Sequence, residues 1–192
     1  MRPADESDAV RHALYVLFAR LLAAPLDATF YRRCRTEGLE GLARAQRLDL
    51  TSDLLDEEDA ESSVLELSAE FDELFRDVSL RASDYEGGTE DPVASISGFL
   101  KEHAMEMDAS AELPRDHLSV ALGIMGALTA GSTESRAERE LRARSFLHRH
   151  LLPWAQRALA EVTHRACRRF YRGLAAMVAA FLESERRLYE AT

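Results

Sequence analysis

Apolar positions along this chain recur at helical spacing almost throughout. Val10, Leu14, Leu17, Phe18 and Leu21 lie on one face of a first helix, which Pro25 ends. Asp27 is placed to cap a second helix, where Phe30 and Cys34 stand one turn apart and make Cys34 a core thiol; Gly38 and Gly41 break that element up. Val64, Leu67, Phe71, Leu74, Phe75 and Val78 give a third helix a wide apolar stripe. Ile96, Phe99 and Leu100 mark a fourth, from about Val93 to about Met107.

Leu118, Ala121, Leu122, Met125 and Leu128 keep register in a fifth helix, and Gly123 and Gly126 beside that stripe would let a neighbouring helix approach closely. Ser132 or Thr133 is expected to cap the next helix, and Pro153 to interrupt it. Phe170, Leu174, Met177, Val178, Phe181 and Leu182 define a long last helix. Between these elements lie an acidic stretch from Asp49 to Glu61, a long loop over 79–92 and a second loop over 108–116. No repeat or composition shift divides the chain, which predicts a single domain spanning residues 1–192.

Composition narrows the class. The chain has 192 residues, 46% hydrophobic and 30% charged, and its 9 Gly and 5 Pro are few for a fold of many tight turns, so an all-α domain is expected. With 34 acidic against 24 basic residues and a net charge of -10, it lacks the positive footprint that nucleic acid requires and suits a basic partner segment. No stretch approaches the ~20 apolar residues of a membrane span, and the acidic start from Met1 to Asp8 has no secretion-signal core. Cys34 and Cys167 are too far apart for a metal knuckle or a disulfide framework, which makes the cytoplasm the default compartment.

Candidate chemistry concentrates where Glu112-Leu113-Pro114-Arg115-Asp116-His117-Leu118 passes from a loop into the fifth helix. Pro114 suits the approach to a helix, and an acid and an imidazole follow at the end where N–H groups favour negative charge. The pair is expected to face outward, with Asp116 able to act as an ordinary helix cap. Glu161 and His164 have the Glu-x-x-His spacing of di-iron bundles, but a second such motif is missing, and His148 and His150 point to different sides of a helix. The sequence has no nucleophile elbow or phosphate-cradling loop, so no catalytic residue is assigned.

Five segments then match one family in order. Leu14 through Pro25 looks like its opening helix, and Glu70-Phe71-Asp72-Glu73-Leu74-Phe75 like its Glu-aromatic-x-x-Leu-Phe helix. Tyr85-Glu86 lies in the long loop, Pro114-Arg115-Asp116-His117 matches the Pro-x-Asp-His core, and Phe146 through His150 with Leu151 and Trp154 leads to Phe170-Tyr171, Phe181-Leu182 and Glu185. The chain resembles the TorD/DmsD/NarJ family of chaperones that mature molybdenum-containing redox enzymes. It departs at Leu113, where the family has an acid before the proline and this chain has Glu112 one step earlier.

The resemblance implies a single-domain, TorD-like helical bundle, monomeric or homodimeric, with no metal or cofactor of its own and no stable membrane insertion. Its partner would be the catalytic subunit of a molybdenum-containing reductase or dehydrogenase, together with that subunit's twin-arginine signal peptide. Tyr85, Glu86, Glu112, Pro114, Asp116, His117 and Leu118 would bind the client, and His150 and Trp154 would be structural. Asp116 would pair with an arginine or brace the loop, and His117 would hydrogen-bond across to the Tyr85 loop. Asp84, Glu90 and Asp91 would add acid to that loop. Two other classes stay open: a helical sensing or scaffolding module without a leader client, and a metal-dependent bundle enzyme using Glu161 and His164.

Overall fold

A computed structural model describes residues 3–37, 60–85, 91–106, 112–130 and 135–191. They form α1 (Pro3–Ala23), α2 (Ala28–Glu37), α3 (Ala60–Asp77), α4 (Pro92–Glu102), α5 (Leu118–Thr129), α6 (Arg136–Phe146), α7 (Leu152–Arg165) and α8 (Arg169–Glu190). The fold is all-α; the extended pairing among the described residues is one isolated bridge between Arg81 and His117. Most of the acidic stretch, together with Gly38, Gly41, Glu86, Glu90, Ser132 and Thr133, lies outside the described residues, as does the side chain of Cys34.

The chain forms two compact units, each assembled from separated segments. One comprises Met1–Ala23, Leu80–Arg157 and Ser184–Thr192; the other comprises Ala24–Ser79 and Ala158–Glu183. In the first, the α1 stripe of Leu14, Tyr15, Phe18, Leu21 and Leu22 is buried, as are Leu118, Ala121, Leu122 and Met125 of α5. Gly126 sets the closeness of these helices, because a β-carbon there would lie 3.3 Å from Val16 Cγ2 and 3.5 Å from Tyr15 Cβ. A β-carbon on Gly123 would meet nothing within 4 Å, so the close approach expected of both glycines belongs to Gly126 alone of the two.

In the second unit, Asp27 caps α2 as expected, with Phe30 N donating to Oδ1 at 2.8 Å. The core position of α2 is the fully buried Tyr31, whereas Phe30 is only half-buried. Leu67, Leu74 and Val78 of α3 are buried, as are Phe170, Tyr171, Leu174, Val178 and Leu182 of α8. Tyr171 stands edge-on to Phe75 at 5.9 Å and donates its hydroxyl to Leu67 O at 3.2 Å.

Three helix ends differ from expectation for local reasons. α4 stops at Glu102, not near Met107, in a Schellman turn: Met105 N donates to Leu100 O at 2.9 Å and Ala104 N to Lys101 O at 3.2 Å. Ala104 adopts φ 50 there, a conformation that usually selects Gly, so the stop carries no sequence signal. The cap of α6 is Ser135, in a capping box with Glu138, and not Ser132 or Thr133. Pro153 does not break the helix. It has no N–H for the Arg149 carbonyl, and its ring crowds that carbonyl; the chain widens into a π turn over Leu147–Leu151, with Leu152 N bonded to Leu147 O, and runs on into α7.

Candidate functional site

The loop before α5 and the segment after α3 are stitched together within the first unit. Leu118 N donates to Leu80 O at 2.8 Å and Ala82 N to Asp116 O at 2.9 Å, flanking the Arg81–His117 bridge. Asp116 supplies the side-chain part of the junction: Oδ1 accepts from Arg81 Nε at 3.3 Å and Oδ2 from Ser83 N at 3.2 Å. The carboxylate is 0% exposed, which corrects the expectation that it faces outward or caps the helix. Burial pushes its pKa up, but the hydrogen bonds from Ser83 and Arg81 outweigh that and hold it below the ordinary carboxylate range.

His117 is the N-cap of α5, accepting from Ser119 N through Nδ1 at 3.2 Å. Accepting at Nδ1 assigns the proton of the neutral ring to Nε2. The expected bond from His117 to the Tyr85 loop is not the contact that forms; the preceding residue, Asp116, makes the link through Ser83. Burial drives the His117 pKa down to about 4, the Asp116 charge opposing that and Arg81 adding to it. In the unfolded chain this imidazole titrates near 6.5, so between about pH 6.5 and 4 the unfolded state binds the extra proton. Stability should therefore fall as pH drops through that window and level off below it. Urea unfolding across the range should show this slope in the wild type and its loss in His117→Asn, which keeps a capping acceptor; an unchanged slope would contradict the assignment.

The stitched segment continues as a 3₁₀ turn over Ala82–Asp84 into Tyr85. The Tyr85 ring stacks on Trp154 with centroids 6.3 Å apart and planes at 19°. Arg157, one turn beyond Trp154, places its guanidinium 6.0 Å from the Tyr85 ring centre and donates to the Tyr85 carbonyl. Trp154 is fully buried and its indole N–H donates to His150 O at 2.8 Å, so these two residues are joined through the main chain of the π turn. The His150 ring packs on Phe99 and Phe146, at 5.5 Å and 5.1 Å. An open cavity of about 370 Å³ borders Gly98, Phe99, Glu102, Arg149 and His150.

Glu112, Pro114 and Arg115 are exposed, Leu113 is half-buried and Leu118 is buried. Arg115 reaches α4, donating to Ser97 Oγ at 2.8 Å. Asp84 is exposed, while Asp91 caps α4 by accepting from Val93 N at 3.0 Å. The structure thus brings Tyr85, Asp116, His117, Leu118, His150 and Trp154 into one connected frame. The residues that sequence reasoning missed are Arg81, Ser83, Arg157 and Phe99. Arg157 carried a usable signal, since it follows Trp154 at i+3 on one helix face. Arg81 and Ser83 carried none, because their role depends on a pairing 33 to 35 residues away.

The family model described as nitrate reductase delta subunit matches residues 35–160. The chain belongs to this family. Its members are chaperones of the NarJ/TorD type that act with the catalytic subunits of molybdenum-containing enzymes in their maturation. The match takes in Glu70 through Phe75, Tyr85, the Asp116–His117 junction and the π turn with Trp154, and leaves α1 and α8 outside. No curated protein matches the chain. Among the described residues, no helix is long and apolar enough to cross a membrane, and no group of three His, Cys, Asp or Glu is arranged to hold a metal ion. Glu161 pairs with Arg165 at 3.3 Å.

Proposed function

We propose that this protein binds, in the cytoplasm, the twin-arginine leader and the body of one molybdenum-containing reductase or dehydrogenase catalytic subunit. It holds that subunit back from export until the cofactor is in place. The observation that carries this reading is the buried Asp116. Both its carboxylate oxygens are taken by donors of the 81–83 segment, so it fixes two surface loops against each other. Asp116 is then a positioning residue. The groups offered to a client are the exposed Glu112, Pro114, Arg115 and Asp84, with the half-buried Tyr85 and His117.

A leader of this kind carries two arginines and then an apolar stretch. Carboxylates pair with guanidinium, and an aromatic edge beside them suits both the cation and the apolar run. The leader peptide of the cognate subunit should bind the full chain, and Tyr85→Ala combined with Glu112→Gln and Asp84→Asn should weaken it by about tenfold or more. Isothermal calorimetry reads this directly. Equal affinity in wild type and variant would remove the site assignment; no binding by the wild type would remove the leader reading.

A further inference from the structure

In the unit built from residues 24–79 and 158–183, α3 and the junction between α7 and α8 line an open cavity of about 420 Å³. From α3 it is lined by Glu70, Glu73, Leu74 and Asp77, which at i, i+3, i+4 and i+7 share one helix face. From the junction come His164, Arg165 and Cys167. Glu70 is only 8% exposed. Its Oε1 accepts from Arg168 N at 2.6 Å, just before α8 begins, which explains one oxygen of a buried carboxylate. The other, Oε2, is buried with no hydrogen-bond partner among the described residues. A buried acceptor without a donor is costly, more so when charged, and native structures keep few of them.

The neighbouring cations are engaged with other acids. Arg168 pairs with Glu66 at 2.7 Å and Arg165 with Glu161 at 3.3 Å. Three carboxylates therefore border a cavity whose lining arginine, Arg165, pairs with Glu161, which lies outside that lining. We propose that this cavity receives the guanidinium of an arginine side chain presented by a bound polypeptide. A guanidinium carries five N–H donors in a planar fork, which can serve Glu70 Oε2 and the rim carboxylates of Glu73 and Asp77 together. An ammonium is a compact point charge and serves that spread of acceptors less well. The methylene stem of an arginine has Leu74 to lie on. A metal ion is a poorer occupant, because the described residues hold no suitable ligand group.

The pocket's chemistry stands by itself; only the source of the arginine, a client segment, rests on the proposed function. The test uses the full chain with Nα-acetyl-diarginine amide, its dilysine counterpart and ethylguanidinium as probes, by calorimetry and by the NMR signals of His164. Diarginine amide should bind, move the His164 signals, and exceed both other probes by about tenfold. Glu70→Gln, which keeps an oxygen for Arg168 N, and the rim pair Glu73→Gln with Asp77→Asn should each weaken it at least tenfold with thermal unfolding unchanged.

Unaltered diarginine binding in the rim variant, silent His164 signals, or dilysine binding as tightly as diarginine would overturn the proposal. If the rim variant binds diarginine normally while the leader still binds the wild type, the cavity assignment falls and the proposed function stands. If diarginine binding depends on these carboxylates while the leader fails to bind, the cavity assignment holds and the proposed function falls.

Discussion

Replacing Glu185 with Ala is expected to destabilise the protein by about 3–5 kcal/mol. Glu185 is 3% exposed and accepts from Arg11 Nε at 2.8 Å and 3.1 Å, from Arg11 Nη2 at 2.7 Å and from the Tyr15 hydroxyl at 3.1 Å. Arg11, itself 7% exposed, also donates to the Tyr189 hydroxyl at 2.5 Å. Burial opposes the Arg11 charge, but Glu185 overcomes it and holds the guanidinium pKa above its ordinary value. Burial likewise pushes the Tyr15 pKa well up, with the Glu185 charge adding to it.

Truncating the carboxylate would leave a guanidinium in the interior of the first unit with only hydroxyls and the partly exposed Asp8 to answer it. The reference that isolates the cause is a double variant, Arg11→Met with Glu185→Leu. Apolar replacement of a whole buried pair is often neutral, so this variant should recover most of the loss. Urea unfolding of the three proteins reads both values, and a loss below about 1 kcal/mol in Glu185→Ala would show that the pair adds nothing net.

Asp116→Ala is expected to cost about 2–3 kcal/mol, because it leaves Ser83 N without its acceptor and removes the charge-assisted bond from Arg81. The effect is smaller than at Glu185 because the Arg81 side chain is 44% exposed and water can replace the lost partner. The sign of the pH dependence follows from the lowered pKa. The folded carboxyl releases its proton more readily than the unfolded one, so its stabilisation is complete above the unfolded value near 3.9 and disappears as pH falls through the folded value. The variant should therefore lose less stability than the wild type below about pH 4. Asp116→Asn keeps one acceptor oxygen and should fall between the two. Hydrogen exchange at Ser83 N should speed up in Asp116→Ala; unchanged protection there would show that the carboxylate does not hold the segment.

Helices with strong periodicity were legible because their apolar faces are also their buried faces. Leu14, Phe18 and Leu21 of α1, and Leu118, Leu122 and Met125 of α5, are buried as their spacing requires. Stops were harder to see. The α4 stop relies on an alanine in a left-handed conformation, and Pro153 is absorbed by a π turn, so the residues that usually signal a stop were absent in one place and overruled in the other. The importance of the Asp116–His117 junction was visible from Pro114 and the helix start. The division of labour within it was not. Local rules make the acid a cap, and the family resemblance made the imidazole a long-range partner; tertiary pairing with Leu80 and Ala82 buries the acid and leaves the imidazole to cap the helix. Arg11 and Glu185 are 174 residues apart, and periodicity alone cannot announce such a pairing.

On the proposed function, this chain holds an immature molybdoenzyme subunit and lets it go once the cofactor is loaded. The most direct measurement is the affinity of the full chain for its cognate catalytic subunit, leader attached, in the cofactor-free and cofactor-loaded forms. Binding to the cofactor-free form at least about tenfold tighter, a preference of about 1.4 kcal/mol, is the result predicted. Equal affinity for the two forms, or tighter binding of the loaded one, would contradict it.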